Sequence, residues 1–193
     1  MRNLRPLEFT TIVLVYLGLA GLCATWDTLS RGSALYAWEH SQAPSFAFLV
    51  LSFFLVFFYL AFAQLNSRFT TWARQLNSLL AHLLTPISYL QMIVIALMSG
   101  FIEEWFFRGI LLSHFGVTLS SIFFGLCHLI LIGRIWVWSL WSTMAGFILA
   151  LLVFYSKSLY LAAMAHFSIN LVMLFLLNMK AYNRPSLMST QGE

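Results

Sequence analysis

Charge is what this chain has least of. Of 193 residues only ten are Lys or Arg and six are Asp or Glu, together 8%, whereas 61% are hydrophobic and the mean hydropathy is +0.88. A water-soluble domain this small could not cover so much apolar surface, so the soluble globular class is excluded. Cysteine is scarce too. Cys23 and Cys127 both lie in apolar stretches and lack metal-ligand spacing, which excludes a disulfide framework and a zinc ribbon. The net charge of +4 does not point to nucleic acid, because the basic residues stand singly at the ends of apolar segments instead of gathering on one face. Internal repeats and low-complexity runs are also missing, which disfavours the inverted halves of many transporters.

What is present is a series of apolar runs. A hydrocarbon core about 30 Å thick needs roughly 20 apolar residues per helix. Segments of about that length fall near residues 9–26, 45–65, 86–113, 116–133, 135–156 and 159–179. The expected fold is therefore all-α: a polytopic membrane bundle of about six transmembrane helices, forming one integral membrane domain over 1–193 with its functional core about 86–179. The first run lacks a clear small-x-small cleavage site and is expected to be a retained helix. Between the second and third runs, residues 66–85 place Phe69, Trp72, Leu76, Leu79 and Leu80 at helical spacing opposite Arg68, Arg74 and Gln75. That pattern predicts an interfacial helix.

Orientation follows from the basic residues. With the N-terminus inside, Arg2, Arg5, Arg68, Arg74, Arg134, Lys180 and Arg184 are cytoplasmic, and only Arg31, Arg108 and Lys157 are not. Seven against three favours a cytoplasmic N-terminus. It also puts the Glu103 end of the third segment toward the outer face. A chain with so little soluble mass suggests a prokaryotic inner (plasma) membrane protein.

The few charges inside apolar segments are the informative ones. Glu103 and Glu104 are adjacent within Gly100-Phe101-Ile102-Glu103-Glu104-Trp105-Phe106-Phe107-Arg108-Gly109. Ionised carboxylates in hydrocarbon must be paired, hydrated or neutralised, so such residues mark function by default. Helical periodicity sets Glu104 and Arg108 on one face, an i, i+4 ion pair, with Glu103 about 100° away. Glu104 is then structural, and Glu103 is free to serve as a base in a cavity. Two further pairs lie four residues apart, Phe124 with His128 and His166 with Asn170. Singly, each has a bland reading, since a membrane histidine can satisfy a backbone carbonyl and an asparagine can join two helices. A carboxylate pair, two histidines and an asparagine on three helices exceed what packing requires, and a catalytic site is the better reading.

The ordered set Glu-Glu-x-x-x-Arg, Phe-x-x-x-His and His-x-x-x-Asn, here Glu103-Glu104 to Arg108, Phe124 to His128 and His166 to Asn170, resembles the CPBP family of CAAX proteases and bacteriocin-processing enzymes. The resemblance spans Pro86 to Asn170, and the first two helices carry no such signature. It implies an intramembrane endopeptidase of the glutamate type, in which Glu103 and His128 activate water while His166 and Asn170 stabilise the oxyanion. Glu104, Arg108 and Phe124 would support them. The substrate would be a membrane-anchored protein or peptide cut near its C-terminus, with removal of a sorting anchor and prenyl-protein processing as alternatives. Neither a metal nor another cofactor is expected. The zinc alternative would use Glu103, His128 and His166, but there is no His-Glu-x-x-His helix and Glu104 would have to act as base. Rival classes are a non-catalytic immunity or partner-binding membrane protein and a proton-coupled transporter.

Overall fold

The computed structural model describes residues 7–30, 38–84, 86–132 and 136–182. Among these there is no strand. The helices are α1 (Phe9–Leu29), α2 (Phe46–Phe69), α3 (Thr71–Leu84), α4 (Tyr89–Met98), α5 (Leu112–Ile132), α6 (Trp136–Ser156) and α7 (Leu159–Tyr182). Between α4 and α5 the helix does not stop. It widens into i→i+5 turns over Ser99–Glu103 and Trp105–Leu111.

Among the described residues five continuous stretches are long and apolar enough to cross a membrane: Phe9–Leu29, Phe46–Phe69, Tyr89–His128, Trp136–Ser156 and Leu159–Met179. The sequence pattern predicts about six. The difference lies in the third stretch, whose 40 residues would measure about 60 Å if straight, twice the hydrocarbon thickness. It is not straight. Gly116 has φ 73° and ψ 178°, a conformation open to glycine and strained for any residue with a Cβ. The rings of Phe107 and Phe124 are 4.9 Å apart, although an unbroken helix would separate them by about 25 Å. The chain thus folds back at Gly116, and its two legs correspond to the expected segments 86–113 and 116–133. The protein is an integral, multi-pass membrane protein. Arg2, Arg5, Arg31, Arg134 and Arg184, which enter the orientation count, lie outside the described residues.

Local signals account for the element ends. Ser88 caps α4 through a capping box, its hydroxyl accepting from Gln91 N while Gln91 Oε1 accepts from Ser88 N at 2.8 Å. The second span runs to Phe69, and Thr70 separates it from α3. In α3, Leu76, Leu79 and Leu80 are buried, while Phe69 and Trp72 of the predicted apolar face remain exposed.

Two apolar clusters place α7 at the centre. Leu149 and Leu152 of α6 meet Leu161, Ala162 and Ala165, and Met92, Ile95 and Ala96 of α4 meet Leu174. Lipid is as apolar as leucine, so helix association in a membrane relies on close packing, which small residues permit. Ala96, Ala150, Ala162 and Ala163 are wholly buried. At Gly100 an added Cβ would lie 2.8 Å from Phe167 N and 2.9 Å from Ala163 O, so the backbones of the widened helix and α7 touch where only glycine fits. That contact sets the two glutamates against His166.

Candidate active site

Both acids point inward. Glu104 is wholly buried and Glu103 is 8% exposed, and both face α7. The i→i+5 turns replace the ordinary period assumed from the sequence, and such turns recur at functional sites. Their effect is that one imidazole meets both carboxylates. His166 Nδ1 is 2.8 Å from Glu104 Oε1, and His166 Nε2 is 4.0 Å from Glu103 Oε2.

Glu104 is also the partner of Arg108, whose Nη1 donates to Oε1 at 2.8 Å. Arg108 Nη2 donates to the Gly146 carbonyl at 3.0 Å, and the guanidinium carbon lies 4.6 Å from the centre of the Phe124 ring. Gly146 allows this approach, because a Cβ there would sit 3.2 Å from Ser121 Cα and 3.3 Å from Phe124. A buried charge is tolerated only when paired and hydrogen-bonded. Glu104 meets that condition twice over, with a guanidinium and an imidazole on the same oxygen.

The histidine protonation pattern follows from their partners. His128 Nδ1 is 2.7 Å from the Phe124 carbonyl, which can only accept, so Nδ1 carries the hydrogen. His166 Nδ1 likewise donates to the Glu104 carboxylate. In the neutral form both rings therefore keep a lone pair on Nε2. For His166 that nitrogen faces Glu103 Oε2, which has no hydrogen-bond partner. A separation of 4.0 Å is too long for a direct hydrogen bond, so a group inserted between the two atoms would be held by both.

Phe124 organises the rest. Its buried ring lies 4.6 Å from that of His128, 5.6 Å from that of His166 and 4.9 Å from that of Phe107. His128 is half-buried and meets Trp138 of α6 at 5.8 Å. Of the residues singled out from the sequence, Glu104, Arg108 and His166 are joined by direct hydrogen bonds, and Glu103 faces His166 across 4.0 Å. His128 reaches them through the Phe124 ring. Asn170 donates from Nδ2 to the Ser99 hydroxyl at 2.7 Å.

Two contributors carry no signature in the sequence. Ser99 is buried and passes a hydrogen bond on to the Ala96 carbonyl at 3.1 Å. Tyr16, on α1, donates its phenol hydrogen to Glu103 Oε1 at 2.7 Å. The available signal was slight, a serine beside Gly100 and a tyrosine in the middle of an apolar helix. Trp105 packs with Phe106 and Leu111 onto Cys23 and Ile110.

Zinc can be tested against the donors. Among the described residues no three His, Cys, Asp or Glu side chains converge as a metal site, and Glu104 is occupied by Arg108 and His166. Of the two-histidine, one-carboxylate set, Glu103 and His166 face each other across 4.0 Å, and His128 lies beside the Phe124 ring.

Comparison with known protein families gives a match. The family model described as type II CAAX prenyl endopeptidase, Rce1-like, covers residues 84–172. No curated protein and no solved structure matches the chain. The matched segment holds both glutamates, Arg108, Phe124, both site histidines and Asn170, and over it the chain is similar to the Rce1-like CAAX endopeptidases.

Proposed function

We propose that this protein hydrolyses a peptide bond near the C-terminus of a membrane-associated protein or peptide, using water activated by Glu103. The observation that carries the reading is the pair of facing atoms, Glu103 Oε2 and His166 Nε2, with Glu104 behind the imidazole. A water between them loses a proton to Glu103 as its oxygen attacks the carbonyl carbon. His128, with its Nε2 lone pair, shares in that activation. As the C–N bond breaks, the protonated Glu103 returns the proton to the departing amine.

The developing oxyanion needs donors. When His166 is protonated, Glu104 stabilises the imidazolium at 2.8 Å and Nε2 gains a hydrogen to donate. Asn170 spends one amide hydrogen on Ser99 and keeps the second. One oxyanion donor is worth about 3 to 4 kcal/mol in the transition state. This chemistry runs through the chain's own side chains and requires no cofactor.

On substrate, the outward placement of the Glu103 end that follows from the basic residues favours an exported protein cut beside its membrane anchor over cytosolic prenyl-protein processing. The test is reconstitution into liposomes with two reporters, a farnesylated CAAX peptide and an unprenylated protein bearing a C-terminal transmembrane anchor, with the metal content of the same preparation measured. Cleavage of either that is lost in Glu103→Gln supports a glutamate endopeptidase, and which reporter is cut decides the substrate class. Undiminished turnover by Glu103→Gln would falsify the role of Glu103. Cleavage of neither would favour a non-catalytic immunity or partner-binding role.

A further inference from the structure

The matched family segment begins at residue 84, yet the shortest contact to Glu103 comes from α1. Phe9, Ile12, Tyr16 and Cys23 recur at spacings of three, four and seven residues, one face of a helix. Phe9 and Ile12 pack on the Met92, Ile95 and Ala96 cluster, and Cys23 packs on Ile110. The opposite side, with Leu14, Val15, Leu17 and Leu22, is exposed. Contacts above and below thus hold α1 against the widened helix, with the Tyr16 phenol delivered between them. The backbone of Leu7 adds an anchor, donating to the Leu83 carbonyl at 2.8 Å.

Glu103 needs such a constraint. The terminal torsion of a glutamate is broad, and among the described residues no Lys or Arg pairs with this carboxylate as Arg108 pairs with Glu104. The phenol bond occupies Oε1 at 2.7 Å and leaves Oε2 without a partner, facing His166 Nε2. The two oxygens are therefore unequal, one held and one free to take a proton.

We infer that Tyr16 is a positioning residue for the hydrolytic reaction, fixing the Glu103 carboxylate through Oε1 so that Oε2 is presented to water, and that α1 is thereby part of the active site. This rests on the glutamate reading given above. It also extends the working site beyond the segment that the family model covers.

The test compares wild type, Tyr16→Phe, Tyr16→Leu and Glu103→Gln in liposomes, using the farnesylated peptide and the anchored reporter, together with infrared spectra of the same proteins. The Glu103→Gln minus wild-type difference isolates the Glu103 carboxylate stretch. A hydrogen bond to a charged group is worth enough for Tyr16→Phe to lower kcat by about ten- to a hundredfold. KM should stay unchanged, Tyr16→Leu should be no better, and the carboxylate band should move in Tyr16→Phe.

A wild-type kcat in Tyr16→Phe overturns the assignment whether or not the band moves, since the bond would then serve packing alone. So does a lowered kcat with an unmoved band, because the phenol would not be acting through Glu103. If Glu103→Gln is as active as wild type, the glutamate reading fails, and positioning for hydrolysis fails with it. If wild type cleaves neither reporter, the band alone decides: a moved band supports the hold on Glu103, and an unmoved one overturns it.

Discussion

The outer helices α1 and α2 and the inner stretches 89–128, 136–156 and 159–179 are similarly apolar and differently used. Mean hydropathy is 1.8 and 2.6 in the first group and 1.8, 1.9 and 1.9 in the second. Burial separates them, with 6% of each outer window inside the protein against 28%, 33% and 44% for the inner ones. Hydropathy therefore says that a segment crosses the membrane and nothing about where it sits. Position in the bundle is decided by small residues that let backbones meet and by polar groups that must find partners. By that criterion α1 and α2 differ as well, because α1 sends Tyr16 to Glu103 while the buried polar side chains of α2 are Ser52 and Ser67.

The comparison predicts a descending series of effects, largest at the inner helices. Glu103→Gln keeps the shape of the side chain and removes its ability to take a proton. Loss of a general base is expected to lower kcat/KM by about 10² to 10⁴-fold with folding intact. Turnover by the reconstituted variant, alongside its thermal unfolding in detergent, checks both halves. A variant that is inactive because it does not accumulate would put Glu103 among the structural residues instead.

Glu104→Gln and Arg108→Met address stability. Each leaves a charge without its partner in a dry interior, where breaking a pair costs about 3 to 5 kcal/mol. Glu104→Gln should be the more damaging for activity, because it also releases His166. Denaturation midpoints of the purified variants measure the first effect. A stable but inactive Glu104→Gln would exchange the roles of the two acids.

Gly100→Ala tests the close approach that aligns the inner site. Its Cβ would stand 2.8 to 2.9 Å from the backbone of Phe167 and Ala163, so α7 has to move. Overpacking of this kind costs about 1 to 3 kcal/mol. Because His166 precedes Phe167, the shift should widen its distance from Glu103 and lower kcat. A Gly100→Ala protein with wild-type unfolding and turnover would show that α7 is not held by this contact.

These residues also mark where sequence reading succeeds and where it stops. Crossings were legible from run length, and the break between 86–113 and 116–133 falls at Gly116, although nothing in the pattern revealed that the helix otherwise continues from Tyr89. The Glu104 and Arg108 pair was legible because i, i+4 contacts are local. The i→i+5 widening was not, since it accompanies packing of Gly100 against a helix more than sixty residues away. Asn170 was placed on the right helix, but its bond to Ser99 depends on that same packing. Tyr16 was invisible for a related reason. A tyrosine in an apolar run reads as belt or packing until the fold supplies the carboxylate it faces.

The smallest effect is expected on the outermost helix. Tyr59 of α2 is half-buried like Tyr16, but its ring lies against Trp141 at 4.8 Å, on the side of the bundle where Phe62 also stacks on that indole at 5.6 Å. Tyr59→Phe keeps the ring and its contact, so unfolding should change by no more than about 0.5 kcal/mol and kcat should not change. Set beside Tyr16→Phe, the same loss of one hydroxyl from a tyrosine on an outer apolar helix isolates the phenol-to-carboxylate bond as the difference. Equal rates in the two variants would place α1 and α2 in one class, as lipid-facing scaffold. A kcat lowered only in Tyr16→Phe would move α1 into the catalytic unit and leave α2 outside it.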